Sequence, residues 1–142
     1  MYRDILLPVD LAHTGHDKPA IDQALKLAET FGAKLHVMSV LPDYGMSIVG
    51  SYFPPDFEKK GLKKADEELH AFVKRTVPEG MPVQHIVAHG TVYKEIVKAA
   101  KETGCDLIVM TPGRSAFEDF LIGPNAARVM RHAPCSVLLV RG

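Results

Sequence analysis

The last quarter of the chain constrains the fold more than any other part. Asp106-Leu-Ile-Val-Met110 is an apolar run of strand length, and Cys135-Ser-Val-Leu-Leu-Val140 is another. Between them, residues 125–132 read as a short helix. The loop before that helix is opened by Pro112-Gly113 and closed by Gly123, with nine residues between the two glycines. A strand, a helix and a strand in succession imply a parallel pair joined by a right-handed crossover. A glycine-containing loop between a strand's carboxyl end and a helix N-terminus also suits an anion. Backbone N–H groups approach the ligand closely there, and the helix dipole favours negative charge. In open parallel sheets the ligand crevice lies at this same end.

The rest of the chain repeats the alternation. Ile5-Leu-Leu-Pro-Val9 reads as a strand buried on both faces. A polar segment over 10–18 follows, punctuated by Gly15 and Pro19. Ala20, Ile21, Ala24, Leu25, Leu27, Ala28 and Phe31 then mark one face of a helix that Gly32 ends. Residues 34–40 form the second strand, closed by Pro42. Residues 43–56 read as an irregular loop containing Gly45, Gly50, Pro54 and Pro55. A long loop of this kind is often functional. A charged helix over 56–75 keeps Phe57, Leu62, Ala65, Leu69 and Phe72 inward. A third strand (83–88) and a helix (92–102) ended by Gly104 lead into the final unit. Five strands and four helices in alternation make an α/β domain over residues 1–142, a parallel sheet with helices on both faces.

A chain of 142 residues has the length of one domain, and 46% apolar with 24% charged residues is ordinary globular composition. Seventeen basic residues balance seventeen acidic ones. This argues against bulk attraction to nucleic acid or an anionic membrane, which select a basic excess. No apolar run approaches the length of a membrane span, and the N-terminus turns polar too quickly for a secretory signal. The two cysteines, Cys105 and Cys135, each border a core strand and read as reduced, mostly buried thiols of a cytoplasmic protein.

Taken together, these residues resemble the universal stress protein family over the full length, from Pro8-Val9-Asp10 to Cys135-Ser-Val-Leu-Leu-Val140. The sharpest match is Gly113-x9-Gly123 followed by Asn125-Ala-Ala-Arg-Val-Met-Arg-His-Ala-Pro-Cys-Ser-Val137. The resemblance implies a Rossmann-like, adenine nucleotide alpha hydrolase-like sheet of strand order 3-2-1-4-5. It also implies a homodimer paired through the last strand, Ser136 to Val140, and an apolar edge strand does need a partner or a cover. The family's ATP-binding members carry Gly-x2-Gly-x9-Gly-Ser/Thr. Carried onto this chain, the resemblance places Pro8, Val9 and Asp10 at the adenosine end and the Val40 backbone against adenine. Gly113, Gly123 and Asn125 hold the phosphates of ATP, AMP or another adenine nucleotide, with or without Mg2+.

Two positions depart from that pattern. Met110 stands at the first motif glycine, putting a Cβ and a long side chain where the backbone should approach the ligand. Pro124 stands at the Ser/Thr, which suits a first helical turn but removes a hydroxyl and an N–H. Arg114, always charged, offsets part of that loss. The two glycines distinguish a nucleotide-binding regulator or sensor from a dimeric interaction module that has lost the nucleotide or takes another small ligand. If they form a phosphate cradle, Gly113→Ala or Gly123→Ala removes affinity and leaves the fold largely intact. If they serve only as turn and N-cap, stability falls instead.

Other candidates have plainer readings. Asp10 either meets a ligand or ties the loop after it. His13-x2-His16 and His85-x3-His89 lack the partners that zinc-site spacing needs and read as surface or half-buried histidines. His132 suits the positive charge favoured at a helix C-terminus. Arg128 and Arg131 are solvated cations or contributors to an anion-attracting field. No nucleophile with its base and no Walker-type Gly-x4-Gly-Lys-Ser/Thr stands out, so slow ATP hydrolysis is the most enzymatic reading available.

Overall fold

The computed structural model describes residues 1–42, 57–113 and 123–142. Five strands form one parallel sheet: β1 (Asp4–Pro8), β2 (Lys34–Pro42), β3 (Val83–Gly90), β4 (Leu107–Met110) and β5 (Ser136–Leu139). Their order is β3-β2-β1-β4-β5, as the resemblance implies. Four helices lie among the described residues: α1 (Thr14–Phe31), α2 (Phe57–Thr76), α3 (Val92–Thr103) and α4 (Pro124–His132). No helix among the described residues is long and apolar enough to cross a membrane.

The two-residue period of the strands divides the core into two layers. Ile5, Leu7 and Val9 join Leu35, Val37, Leu107 and Val109 against α1 and α2. Leu6, Met38, Ile108 and Met110 point the other way, onto α3 and α4. Ile5, Leu6, Leu35 and Ile108 are fully buried, each contributing about 1.5–3 kcal/mol relative to exposure. α1 approaches the sheet through Ala20, Ile21, Ala24 and Ala28, and α2 through Ala65, Leu69, Phe72 and Val73.

Polar groups tie the amino end of the sheet. The Asp106 carboxylate accepts from the Arg3 and Asp4 N–H groups at 3.0–3.2 Å. The buried His36 on β2 lies 2.9 Å from Asp4 Oδ1 through Nε2 and 2.6 Å from Gln84 Oε1 through Nδ1. A polar ring in the centre of a sheet is tolerated because both nitrogens have partners.

The main correction to the sequence reading concerns α1. It begins at Thr14, so half of the segment read as a polar connection over 10–18 is helical and Pro19 lies inside the helix. Tertiary contacts of Asp17, described below, hold those first turns in place. β3 also runs two residues beyond the expected end, paired in register with β2 through Pro42–Gly90.

Candidate functional site

The site is built where the strand order reverses. From β1 the chain proceeds through α1 to β2 and β3 on one side, while β4 and β5 lie on the other. α1 belongs to one core layer and α4 to the opposite one, so the chain segments leaving β1 and β4 part at their carboxyl ends. This topological switch point is where open α/β sheets present a crevice.

One lip is the segment after β1. The Val9 N–H donates to the Met38 carbonyl at 2.8 Å, carrying the strand pairing one residue past β1. Asp10 follows. Its Oδ1 accepts from the Ala12 N–H at 3.0 Å, and Oδ2 lies 3.3 Å from His13 Nδ1. Asp10 therefore ties its own loop while its side chain stays 39% exposed. Val40, the expected adenine contact, packs against the α3–α4 core layer and is paired with Ala88. His13, Gly15 and His16 border a recess of ≈ 360 Å³ on this lip. Among the described residues, no group of three or more His, Cys, Asp or Glu side chains is arranged to hold a metal ion.

The other lip is the exit of β4. Met110 is 8% exposed, and its side chain is part of the α3–α4 core with Ile108, Ala126 and Val129. The long side chain expected to crowd the ligand is thus turned into the core, because strand alternation sends residue 110 to the same face as residue 108. Gly113 has φ +136°, a backbone conformation that L side chains rarely adopt. Gly123, the N-cap of α4, donates its N–H to the Pro112 carbonyl at 2.6 Å. A Cβ added to Gly123 would stand 2.8 Å from that carbonyl oxygen, and one added to Gly113 would stand 3.1 Å from Gly123 Cα. The two glycines are therefore pressed together as a neck. Residues 114–122, with Arg114 and Ser115 among them, and the whole 43–56 segment lie outside the described residues. Beyond the neck, Pro124 and Asn125 are exposed in the first turn of α4.

The sequence reading missed Asp17. Only 7% exposed, its carboxylate accepts from the Asp10 N–H at 2.6 Å and from the Thr111 hydroxyl at 3.3 Å. One side chain thus joins the two lips across the switch point. A signal was present: residues 17, 21, 24 and 28 fall on one stripe of α1, so an acid sits among the inward positions. An acid on such a stripe needs hydrogen-bond donors.

The remaining candidates fall away from the crevice. His85 stacks on His70 of α2 with ring centroids 3.8 Å apart, and burial, then the neighbouring His70, lowers its pKa. Arg128 lies over the Tyr93 ring, 5.3 Å from its centroid, and His132 lies 5.9 Å from the same ring. Cys105 and Cys135 are free thiols, and burial pushes Cys105 up to about 11, which makes it a poor nucleophile at neutral pH.

A doubly wound parallel sheet of this strand order defines a Rossmann-like α/β protein. The model of the universal stress protein family matches residues 1–141. The chain belongs to that family. It is 31% identical to universal stress protein G of Escherichia coli O157:H7 over 144 residues, covering 99% of this chain and 100% of that protein. The structure of universal stress protein UspA from Lactobacillus plantarum superposes with a TM-score of 0.72 at 25% identity, covering 99% and 98% of the two chains. A universal stress protein solved in complex with cAMP shares the fold, with a TM-score of 0.62 at 20% identity over 99% and 97% of the chains.

Proposed function

We propose that this chain is an adenine-nucleotide-binding regulator or sensor of the universal stress type, cytoplasmic and homodimeric, with ATP as the favoured ligand. The observation that carries the reading is the Gly113–Gly123 neck at the switch point, with Gly113 at φ +136°. A neck of two glycines brings main chain, without side chains, to the start of a helix, where N–H groups can face phosphate. The cAMP complex of a protein with this fold supports the ligand class. In this reading Pro8, Val9 and Asp10 meet the adenosine and the Val40 backbone meets the base. Gly113, Arg114, Gly123 and Asn125 meet the phosphates, with or without Mg2+ beside the triphosphate. Met110 contributes its backbone position only.

Native mass spectrometry of the purified protein, followed by calorimetric titration with ATP, AMP and cAMP, tests both ligand and assembly. A dimer that stays empty at millimolar nucleotide overturns the nucleotide reading. Pro124→Ser supplies the positive test. Pro124 is exposed and sits at the start of α4, so serine adds an N–H and a hydroxyl without disturbing packing. One new hydrogen bond to a charged phosphate contributes about 1.5–3 kcal/mol, so ATP binding should tighten by at least about ten-fold. No gain would count against this placement of the phosphates.

A second reading, a dimeric interaction module without nucleotide, is favoured by Pro124 itself, which withholds one N–H from the α4 N-terminus. Both readings share the dimer. β5 is an edge strand with Leu138 37% exposed, and Met130 on the adjoining α4 is 43% exposed. Leu138→Lys should shift sedimentation toward monomer without lowering helix content. A variant that stays dimeric would move the interface away from β5.

A further inference from the structure

The contact between α2 and β3 holds a pair of groups that the nucleotide reading does not use. β3 is an edge strand of the sheet, and α2 packs on this side through Leu69, Phe72 and Val73. Beside that packing, the half-buried His85 of β3 stacks on the exposed His70 of α2. The rings are nearly parallel, with an interplanar angle of 5° and centroids 3.8 Å apart. His70 is fixed from its own helix. Its Nδ1 lies 2.9 Å from the Asp66 carbonyl oxygen and 3.4 Å from the Asp66 carboxylate. A carbonyl only accepts, so Nδ1 carries a hydrogen and Nε2 is the atom that takes a second proton.

The surroundings of the pair are mostly apolar. Strand alternation sends His85 to the same face as Val83 and Val87, and its register partner on β2 is Val37. His89 shares that face about 13 Å further along the strand, whereas His36 and Gln84 face the opposite layer. Among the described residues, the charged groups that bear on His85 are His70 and Asp66, both of α2. Lys63, Glu67 and Lys74 lie within four residues of them on α2 and are exposed to solvent. Burial, then the charge of His70, lowers the His85 pKa, and Asp66 opposes both. One carboxylate offsets one positive ring, and a second positive ring has no described partner. Two unit charges about 4 Å apart repel, even in bulk water, by enough to shift an equilibrium about five-fold.

We propose that the His70–His85 stack is a proton-sensitive latch, holding α2 on edge strand β3 while at most one ring is charged and loosening it when both are. In the unfolded chain each ring takes its proton near pH 6.5. In the folded chain His85 takes its proton at lower pH, so the unfolded state binds more protons as pH falls below about 6.5. The contribution of the latch is therefore complete above that pH and is lost as pH falls through the folded value. Loosening α2 would uncover Leu69 and Phe72 together with the face of β2 and β3 that they cover. The latch stands apart from the crevice and acts whether or not a nucleotide is bound.

The test is a double-mutant cycle on the full chain, with His70→Gln and His85→Gln made singly and together. Urea unfolding of the four proteins is measured at about pH 7.5 and about pH 5.0. Glutamine stays polar and does not titrate. The cycle cancels the remaining histidines and the carboxylates, which titrate in all four proteins. The coupling between the two rings should be favourable at the higher pH. It should drop by about five-fold at the lower one, read as a ratio of unfolding equilibrium constants. A stack with only a packing role would keep the same coupling at both. Should a variant fold poorly by circular dichroism, proton NMR of the imidazole Cε1–H signals of the unaltered protein decides the question. His85 should then titrate below the ordinary imidazole range. A coupling equal at the two pH values, a coupling more favourable in acid, or a His85 titration at or above the ordinary range would each overturn the proposal.

Discussion

Gly123→Ala should destabilise the protein by about 2 kcal/mol, because its new methyl stands 2.8 Å from the Pro112 carbonyl oxygen, a backbone atom that cannot rotate aside. For a domain of this size that is a fall of about 8 °C in thermal midpoint, readable by scanning calorimetry. Gly113→Ala should cost about 1–3 kcal/mol, through the strain of a side chain at φ +136° and a contact of 3.1 Å with Gly123 Cα. The double variant should lose less than the sum, since both methyls open the same neck and the effects are not independent. A loss below about 0.5 kcal/mol for Gly123→Ala would mean that the neck opens freely. These magnitudes amend the expectation that a glycine substitution removes ligand affinity and leaves the fold intact. Stability and affinity should fall together, so an affinity loss in these variants cannot by itself identify a phosphate cradle. Pro124→Ser, at an exposed position, separates the two effects.

Asp17→Ala should be the most damaging single change in α1. The carboxylate accepts hydrogen bonds from the Asp10 N–H and the Thr111 hydroxyl and is almost fully buried. Removing it loses hydrogen bonds to a charged acceptor and leaves donors without their partner, about 3 kcal/mol in all. Asp17→Asn keeps one carbonyl oxygen and should cost roughly half as much. Urea unfolding measures the difference, and hydrogen exchange localises it: the Asp10 amide should gain more in exchange rate in Asp17→Ala than amides in the centre of β2, which speed up only as far as the global stability falls. If Asp17→Ala unfolds within 1 kcal/mol of the parent (about the value of a single ordinary hydrogen bond), the carboxylate does not hold the two lips together.

Much of the architecture is legible in the sequence. The apolar runs at 5–9, 34–40, 83–88, 106–110 and 135–140 all became strands, since a strand buried on both faces must be apolar throughout. The strand order came from the family resemblance and not from periodicity, which says nothing of which strands are neighbours. The start of α1 was misread because Gly15 and Pro19 signal a break locally, while the bonds of Asp17 that secure those turns reach Thr111, far along the chain. Met110 was read by motif position alone. Its direction depends on the pleat of β4, which sends it into the core beside Ile108.

What the sequence by itself determined was the alternation of buried strands and one-sided helices, and hence a covered parallel sheet with its loops at the strand ends. Those are consequences of apolar spacing within short windows, where each residue's neighbours are known. The tertiary structure alone decided that Gly113 and Gly123 touch and that Asp17 bridges the lips after β1 and β4. Each of these joins segments whose meeting depends on where the crossovers place them, and no local pattern carries that distance.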